Sequence, residues 1–265
     1  MKAITNHPGK VFITGAGPGD PQLMTLRAKA VLELADVILY DNLINMEILS
    51  WASEGCEKIF VGKLPYCSAI RQETINEWLV EHALKGKQVV RLKGGDPLIF
   101  GRGAEEASFL KANGIDFEIV PGVTSSLAAG AYAGIPLTHR DASQSVMFVT
   151  GHTKKGKKTG LNFDWPLLAA FDGTIVFYMG VKNIGNIATA LMEEGKSPST
   201  PVAVIENGTL LNQRVISGNL SGIEALVAEA LVGTPSLIIV GEVVKYHQEL
   251  NWFAAQQQLF KQQIA

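Results

Sequence analysis

Five short runs rich in β-branched and aliphatic residues recur through the first half of the chain, at positions 11–14, 37–40, 58–61, 88–92 and 117–120. Between them, residues 23–35, 71–85 and 103–113 are long enough for helices and carry apolar side chains on a 3.6-residue period. Neighbouring parallel strands need a crossover of a dozen or more residues, usually helical, so this alternation predicts a parallel sheet covered by helices. After Pro121-Gly122 a second series begins, with apolar runs at 146–150, 174–178, 202–205 and 236–241 and helical patterns over 183–194 and 220–231. The predicted organisation is an α/β domain over residues 8–120, a second α/β domain over 121–250 and a helical tail over 251–265. Trp252, Phe253, Leu259, Phe260 and Ile264 are the tail's candidate anchors, onto the body or onto a partner subunit. The joint near residue 121 is short, which predicts halves packed about a fixed cleft where a ligand can sit.

Composition removes several classes of function. Of 265 residues 47% are apolar and 18% charged, so the polar, highly charged signature of a disordered chain is absent. A net charge of −2 is too balanced for a surface that grips nucleic acid or an anionic membrane as a whole, and any anionic partner must meet a local patch. No apolar run approaches the roughly 18 residues of a membrane span. The stretch after Lys2 is broken by Asn6, His7, Pro8 and Lys10 before a signal-like segment can form, and a cytoplasmic location is expected. Cys56 and Cys67 form no CxxC pair and lie near no His cluster, which predicts reduced, structural thiols. His139 and His152 lack partners at ligand spacing, so no metal site is expected.

Glycine punctuates the strand ends. Gly15-Ala16-Gly17-Pro18-Gly19-Asp20 follows the first strand, and Asp41 ends the second, imitating a dinucleotide fingerprint. The third glycine of that fingerprint is replaced by Asp20, an acid where a pyrophosphate would approach a helix N-terminus, so a phosphate-free ligand fits better. Asp20 serves equally well as the cap of a helix starting near Pro21. Gly94-Gly95-Asp96-Pro97 and Phe100-Gly101-Arg102-Gly103 bracket the end of the fourth strand, where backbone approaches ligands in open α/β sheets; a plain turn is the alternative. Thr124 and Ser125 open an Ala-rich helix, as caps or as ligand contacts, and Met179 sits between a strand and Gly180, where a core role is usual. Residues 58–102 hold eight basic side chains and four acidic ones, and Lys63 and Arg102 lie beside strand ends where a ligand carboxylate could be met. Residues 154–158, Lys-Lys-Gly-Lys-Lys, read as a surface loop, without the aromatic residues a nucleic-acid platform uses. The motifs of serine hydrolases and P-loop nucleotidases are absent.

Taken in order, these segments resemble the tetrapyrrole methylase family. The resemblance runs through Gly15 to Asp20, Tyr40-Asp41-Asn42-Leu43, Val61-Gly62-Lys63, Val90 to Pro97, Phe100 to Gly103, Pro121 to Ser125, Gly134-Ile135-Pro136-Leu137-Thr138-His139-Arg140, Val149-Thr150-Gly151-His152 and Phe177-Tyr178-Met179-Gly180. It implies two α/β domains, a mainly parallel N-terminal sheet and a mixed C-terminal one, with S-adenosylmethionine (SAM) between them and a homodimeric assembly. Binding of SAM is implied at Pro18, Gly94, Gly95, Asp96, Ile99, Thr124, Ser125, Met179 and Gly208. Asp41 matches the family's proton acceptor and Lys63 its proton donor, while Asp20 and Arg102 match positions beside the tetrapyrrole. Leu64, Ser68 and Arg71 stand where the family usually carries Arg, His and Pro. Some members carry a further N-terminal dehydrogenase and chelatase module, and later steps toward sirohaem are expected to need other proteins.

The implied reaction is methylation of uroporphyrinogen III at C2 and C7 to precorrin-2, without a metal, a nucleic acid or a membrane. The eight carboxylates of that substrate would explain basic side chains gathered near a cleft. A paralogous methylase acting on a later precorrin or on ribosomal RNA is the alternative within the fold, and a dinucleotide oxidoreductase built on Gly15, Gly17 and Asp41 the alternative outside it.

Overall fold

The computed structural model describes residues 8–62, 70–151 and 163–264. The chain divides into two compact units, Met1–Ser125 and Ser126–Ala265.

The first unit contains β1 (Lys10–Gly15), α1 (Leu26–Glu33), β2 (Val37–Tyr40), β3 (Glu57–Phe60), α2 (Gln72–Leu84), β4 (Val89–Lys93), α3 (Gly103–Ala112) and β5 (Asp116–Val120). Its sheet has the order β3-β2-β4-β1-β5 with every pairing parallel. Successive strand residues point to opposite faces, so Phe12, Ile38, Val90 and Leu92 pack on α1 through Ala28, Val31 and Leu32. Val11, Ile13, Val37, Leu39 and Val89 pack on the other face against Ile75, Leu79 and Ala83 of α2 and Ala107 and Leu110 of α3. A sheet covered on both sides needs apolar residues at nearly every central position, which is why its strands read as unbroken apolar runs. Leu79 and Leu110 are fully buried, and each such side chain contributes roughly 1.5–3 kcal/mol.

The first helix starts later than its periodicity predicts. Pro21–Leu23 is a separate 3-10 turn capped by Asp20, whose Oδ1 accepts from the Gln22 backbone N–H at 2.9 Å. Met24 is then extended, and Thr25 caps α1 by accepting from the Ala28 N–H at 3.1 Å. An N-cap residue needs an extended backbone and a short side-chain oxygen, and Thr25 supplies both.

The second unit begins within α4 (Ser125–Tyr132) and adds β6 (Val146–Thr150), α5 (Trp165–Ala170), β7 (Thr174–Tyr178), α6 (Ile184–Glu193), β8 (Pro201–Glu206), β9 (Arg214–Asn219), α7 (Ile223–Glu229), β10 (Ser236–Val240), α8 (His247–Leu250) and α9 (Phe253–Ile264). The sheet order is β6-β7-β10-β8-β9, with β6 and β7 parallel and the other pairs antiparallel. This is the mixed sheet that the sequence resemblance implies. Ile184, Ile187, Ala188 and Leu191 of α6 cover one face, while Ala129 of α4 and Ala133, Ile135, Val243 and Val244 cover the other. Strand β9 escapes periodicity because it is an edge strand with no fully buried residue, and Arg, Ser, Gly and Asn are among its six residues. The tail helix α9 belongs to this unit. Phe253 is 4% exposed and lies 4.8 Å from the Tyr132 ring, and Gln257 Nε2 donates to the carbonyls of Leu211 and Gln213 at 3.0 and 2.9 Å. Trp252 Nε1 donates to Ala131 O at 2.9 Å, while Leu259 and Phe260 remain exposed.

No helix among the described residues is long and apolar enough to cross a membrane. Cys56 is buried and unbridged, and burial pushes its thiol above the usual range; Cys67 lies outside the described residues.

Candidate active site

Because every strand of the first sheet runs the same way, the loops after β1, β2, β4 and β5 all leave from one edge. They carry Gly15 to Asp20, Asp41 to Leu43, Gly94 to Pro97 and Pro121 to Ser125. Adjacent strands β1 and β4 send the chain to opposite faces, β1 into α1 and β4 into α3, and ligands of open α/β sheets bind at such a switch. The two loops are laced together there. Gly17 N donates to Gly95 O at 3.2 Å and Gly95 N to Gly17 O at 2.6 Å, while Ala16 N donates to Lys93 O at 2.7 Å.

Glycine is required at this point by distance. A Cβ on Gly122 would lie 2.3 Å from Gly95 O and 2.9 Å from the Gly15 Cα, so three strand ends meet backbone to backbone. A Cβ on Gly94 would lie 2.6 Å from the Leu43 Cβ, which brings the β2 loop to the same place. Asp96 braces the floor through both oxygens: Oδ1 accepts from the backbone of Leu98 and Ile99 at 2.8 and 3.3 Å, and Oδ2 from Gly122 N at 3.2 Å. Leu98, Ile99 and Phe100 are exposed, an apolar ledge beside the cradle. Gly101 and Gly103 serve the turn itself, since a Cβ on either would strike Pro97 O at 2.6 Å.

Of the expected acids, Asp41 stands at the mouth of the edge. Its Oδ1 accepts from Leu43 N at 3.1 Å, making a local turn, and its Oδ2 lies 3.5 Å from Arg91 NH2. Asp20 caps its turn, as sequence already allowed, and Asn45 Nδ2 ties the neighbouring Gly19 carbonyl at 3.0 Å. Arg102 precedes α3 with a left-handed backbone, φ 61°, and pairs with Glu105 through Nε at 3.0 Å and NH2 at 2.6 Å. Lys63 lies outside the described residues, as do Leu64, Ser68, His152 and the basic stretch 154–158.

Two of the basic residues counted between 58 and 102 are turned into the interior. Arg91 and Lys93 are buried on the α2/α3 face, where both reach Glu106 Oε1, at 3.1 and 3.0 Å. Their partner cannot be read along the chain, because it is set by how α3 docks. The one available signal was two cations at alternate positions of an otherwise apolar strand, which commits both to one buried face.

The second unit gathers its candidates on one edge of its own sheet. β7 and β8 both run antiparallel to β10, so their carboxyl ends share an edge with that of β6. Met179 is half-exposed with φ 56°, and Asn207 and Thr209, flanking Gly208, have φ 50° and 70°. Left-handed backbone costs a non-glycine residue roughly 1–2 kcal/mol, and such strain concentrates at ligand sites. A Cβ on Gly208 would lie 2.7 Å from the Ala129 Cβ of α4, so the loop presses on that helix. Tyr178, at the end of β7, donates its hydroxyl to Ser126 Oγ at 2.7 Å and accepts from Ser126 N at 3.2 Å, anchoring the start of α4 next to Thr124 and Ser125. Sequence does not single out Asn207 and Thr209, since φ is invisible there, nor Tyr178, whose hydroxyl meets Ser126 52 residues away. Among the described residues no group of three His, Cys, Asp or Glu side chains is arranged to hold a metal ion.

Comparison with known proteins gives this geometry a family. Residues 10–224 match the model of the tetrapyrrole (corrin/porphyrin) methylases. The chain is 52% identical to a uroporphyrinogen-III C-methyltransferase of Bacillus subtilis over 94% of its own length and 96% of that protein. It is 51% identical to an S-adenosyl-L-methionine-dependent uroporphyrinogen III methyltransferase of Methanosarcina barkeri, covering 94% and 97% of the two chains. It spans about half (54%) of the siroheme synthase of Saccharophagus degradans, at 48% identity over 95% of its own length. The uroporphyrin-III C-methyltransferase of Thermus thermophilus, solved with S-adenosyl homocysteine, superposes with a TM-score of 0.75 at 38% identity over 89% of this chain and 93% of that one. The glycine-laced edge of the parallel sheet and the strained loops of the mixed one are thus features of a chain that belongs to the tetrapyrrole methylase family.

Proposed function

We propose that this protein is a SAM-dependent C-methyltransferase that methylates uroporphyrinogen III at C2 and C7, giving precorrin-2. The near-full-length identity to uroporphyrinogen-III methyltransferases, unbroken across both units, carries this reading. SAM, when bound, supplies a methyl group on a sulfonium. The chain's task is to hold that methyl in line with an electron-rich pyrrole carbon and to keep water out. In this reading the backbone of Gly94, Gly95 and Asp96, with Pro18, Ile99, Thr124, Ser125, Met179 and Gly208, binds SAM, and the Cβ-free surface of the cradle suits close approach. As the new C–C bond forms and the C–S bond breaks, positive charge moves onto the tetrapyrrole. Asp41 stabilises that charge and accepts the proton the ring system then sheds. Lys63 is the matching proton donor, and Asp20 and Arg102 bind the substrate.

Product mass tests the reaction. At saturating SAM the expected product carries two added methyl groups, with a monomethyl species at limiting SAM; a single methylation at saturation would assign the chain to another step. Parallel titrations with SAM and NAD separate the methylase from the oxidoreductase alternative. A homodimer in the cytoplasm belongs to the same reading, and light scattering should return twice the chain mass.

Arg102→Ala tests the substrate side. Arg102 is half-exposed and already forked onto Glu105, so a substrate carboxylate would share or displace that partner. Its loss should weaken tetrapyrrole binding by roughly 1.5–3 kcal/mol, toward the lower figure, with SAM affinity unchanged by calorimetry. Equal weakening of both ligands would assign Arg102 to the turn between Pro97 and Gly103 instead.

A further inference from the structure

Glu106, in the first turn of α3, is fully buried, and three donors converge on its Oε1: Arg91 Nε at 3.1 Å, Lys93 Nζ at 3.0 Å and Gln72 Nε2 at 2.9 Å. Its Oε2 has no hydrogen-bond partner among the described residues. The Arg91 guanidinium is fixed at every other position as well. NH1 donates to the carbonyls of Leu39 and Leu92 at 3.3 and 3.0 Å, which leaves NH2 facing Asp41 Oδ2 at 3.5 Å. The cluster therefore holds two cations and two carboxylates, and exposure rises from 0% at Glu106 and 4% at Arg91 to 25% at Asp41. Its only exit toward solvent among these four charges is the Asp41 carboxylate.

Stability alone is a poor reason for such a group. Buried ion clusters contribute little beyond what apolar packing of the same volume would, and the surroundings on this face are Ile75, Leu79, Ala107 and Leu110. Burial and the Arg91 charge press the Lys93 ammonium below its usual range, while Glu106 and Asp41 act against that shift. What the cluster does achieve is to lock a guanidinium in one orientation behind one carboxylate at the sheet edge.

We propose that Glu106 is a positioning residue for methyl transfer, which through Arg91 sets the orientation and charge balance of Asp41. This rests on Asp41 acting on the substrate. Glu106→Gln is a clean probe, because the amide oxygen keeps all three donors and the NH2 group takes the place of the oxygen that accepts from none of the described residues. Measured in the full-length protein at saturating SAM and tetrapyrrole, E106Q should lower kcat about tenfold, and the same change made on top of D41N should alter kcat by less than about twofold, the non-additivity of residues acting as one unit. SAM affinity, read by calorimetry, should stay within about twofold in both backgrounds, a split between kcat and binding that general loosening of the fold would not produce. Equal fold-losses in the two backgrounds, or parent-like kcat in E106Q, would overturn the proposal. A D41N protein with normal turnover would instead overturn the role of Asp41 itself. Should E106Q fail to fold, K93M/E106Q, which removes one buried charge of each sign, goes through the same comparison; failure of that variant to fold also overturns the proposal, since the cluster is then purely structural.

Discussion

Asp41→Asn should lower kcat by roughly 10²–10⁴, the usual scale for losing a general base, with SAM affinity and thermal stability little changed. The geometry separates the two roles of this side chain. Asn keeps an oxygen for the Leu43 N–H, so the turn after β2 survives. It loses the negative charge and basicity of the oxygen that faces Arg91 at 3.5 Å. Arg91 is itself buried, but it keeps Glu106 and the Leu39 and Leu92 carbonyls as partners, so losing this one long contact should cost no more than about 1.5 kcal/mol of stability. Steady-state kinetics, calorimetry with SAM and a melting curve decide the matter together. Near-normal turnover in the Asn variant would leave Asp41 as the cap of its turn and nothing more.

Replacement of Gly122 by alanine is the change with the largest expected effect on the fold. The new methyl would sit 2.3 Å from Gly95 O and within 3.0 Å of the Gly15 backbone, and neither obstacle is the end of a flexible side chain. Relief requires β1, β4 and β5 to separate at the edge where Gly17 and Gly95 exchange hydrogen bonds. Overpacking of this kind costs about 3 kcal/mol, which for a chain of this size lowers Tm by roughly 6–12 °C. SAM binding should fall with it, because the same backbone forms the proposed cradle. Gly55→Ala is the control: nothing lies within 4 Å of its Cβ, so its Tm should move by no more than about 3 °C. A Gly122→Ala protein that melts like the control and binds SAM normally would mean the three strand ends are not held as tightly as their contacts indicate.

Much of this protein is legible along the chain, for reasons that are local. Strands β1, β2, β4, β7, β8 and β10 are buried and written as apolar runs, and helices such as α2 and α6 carry their buried residues on one face. Glycine and Asp at strand ends mark turns, and Asp20 before Pro21 is read as a cap with no knowledge of the fold. The edge strand β9 and the 3-10 turn before α1 are less legible, since each depends on what covers it.

Strand order and charge partnership are decided only in three dimensions. That β4 lies between β2 and β1 brings Gly95 to Gly17 and Arg91 to Asp41, residues that periodicity cannot pair. In sequence, Arg91 and Lys93 are two among the eight basic residues of 58–102, with no partner indicated; the docking of α3 buries Glu106 between them and turns them inward. Sequence by itself determined the buried strands, the amphipathic helices between them and the glycine turns at their ends, because hydrophobic period and turn chemistry act over a few residues. The tertiary structure alone decided which loops meet and which charges turn inside, because the burial of a charge, and the partner it must then find, are properties of the packed molecule.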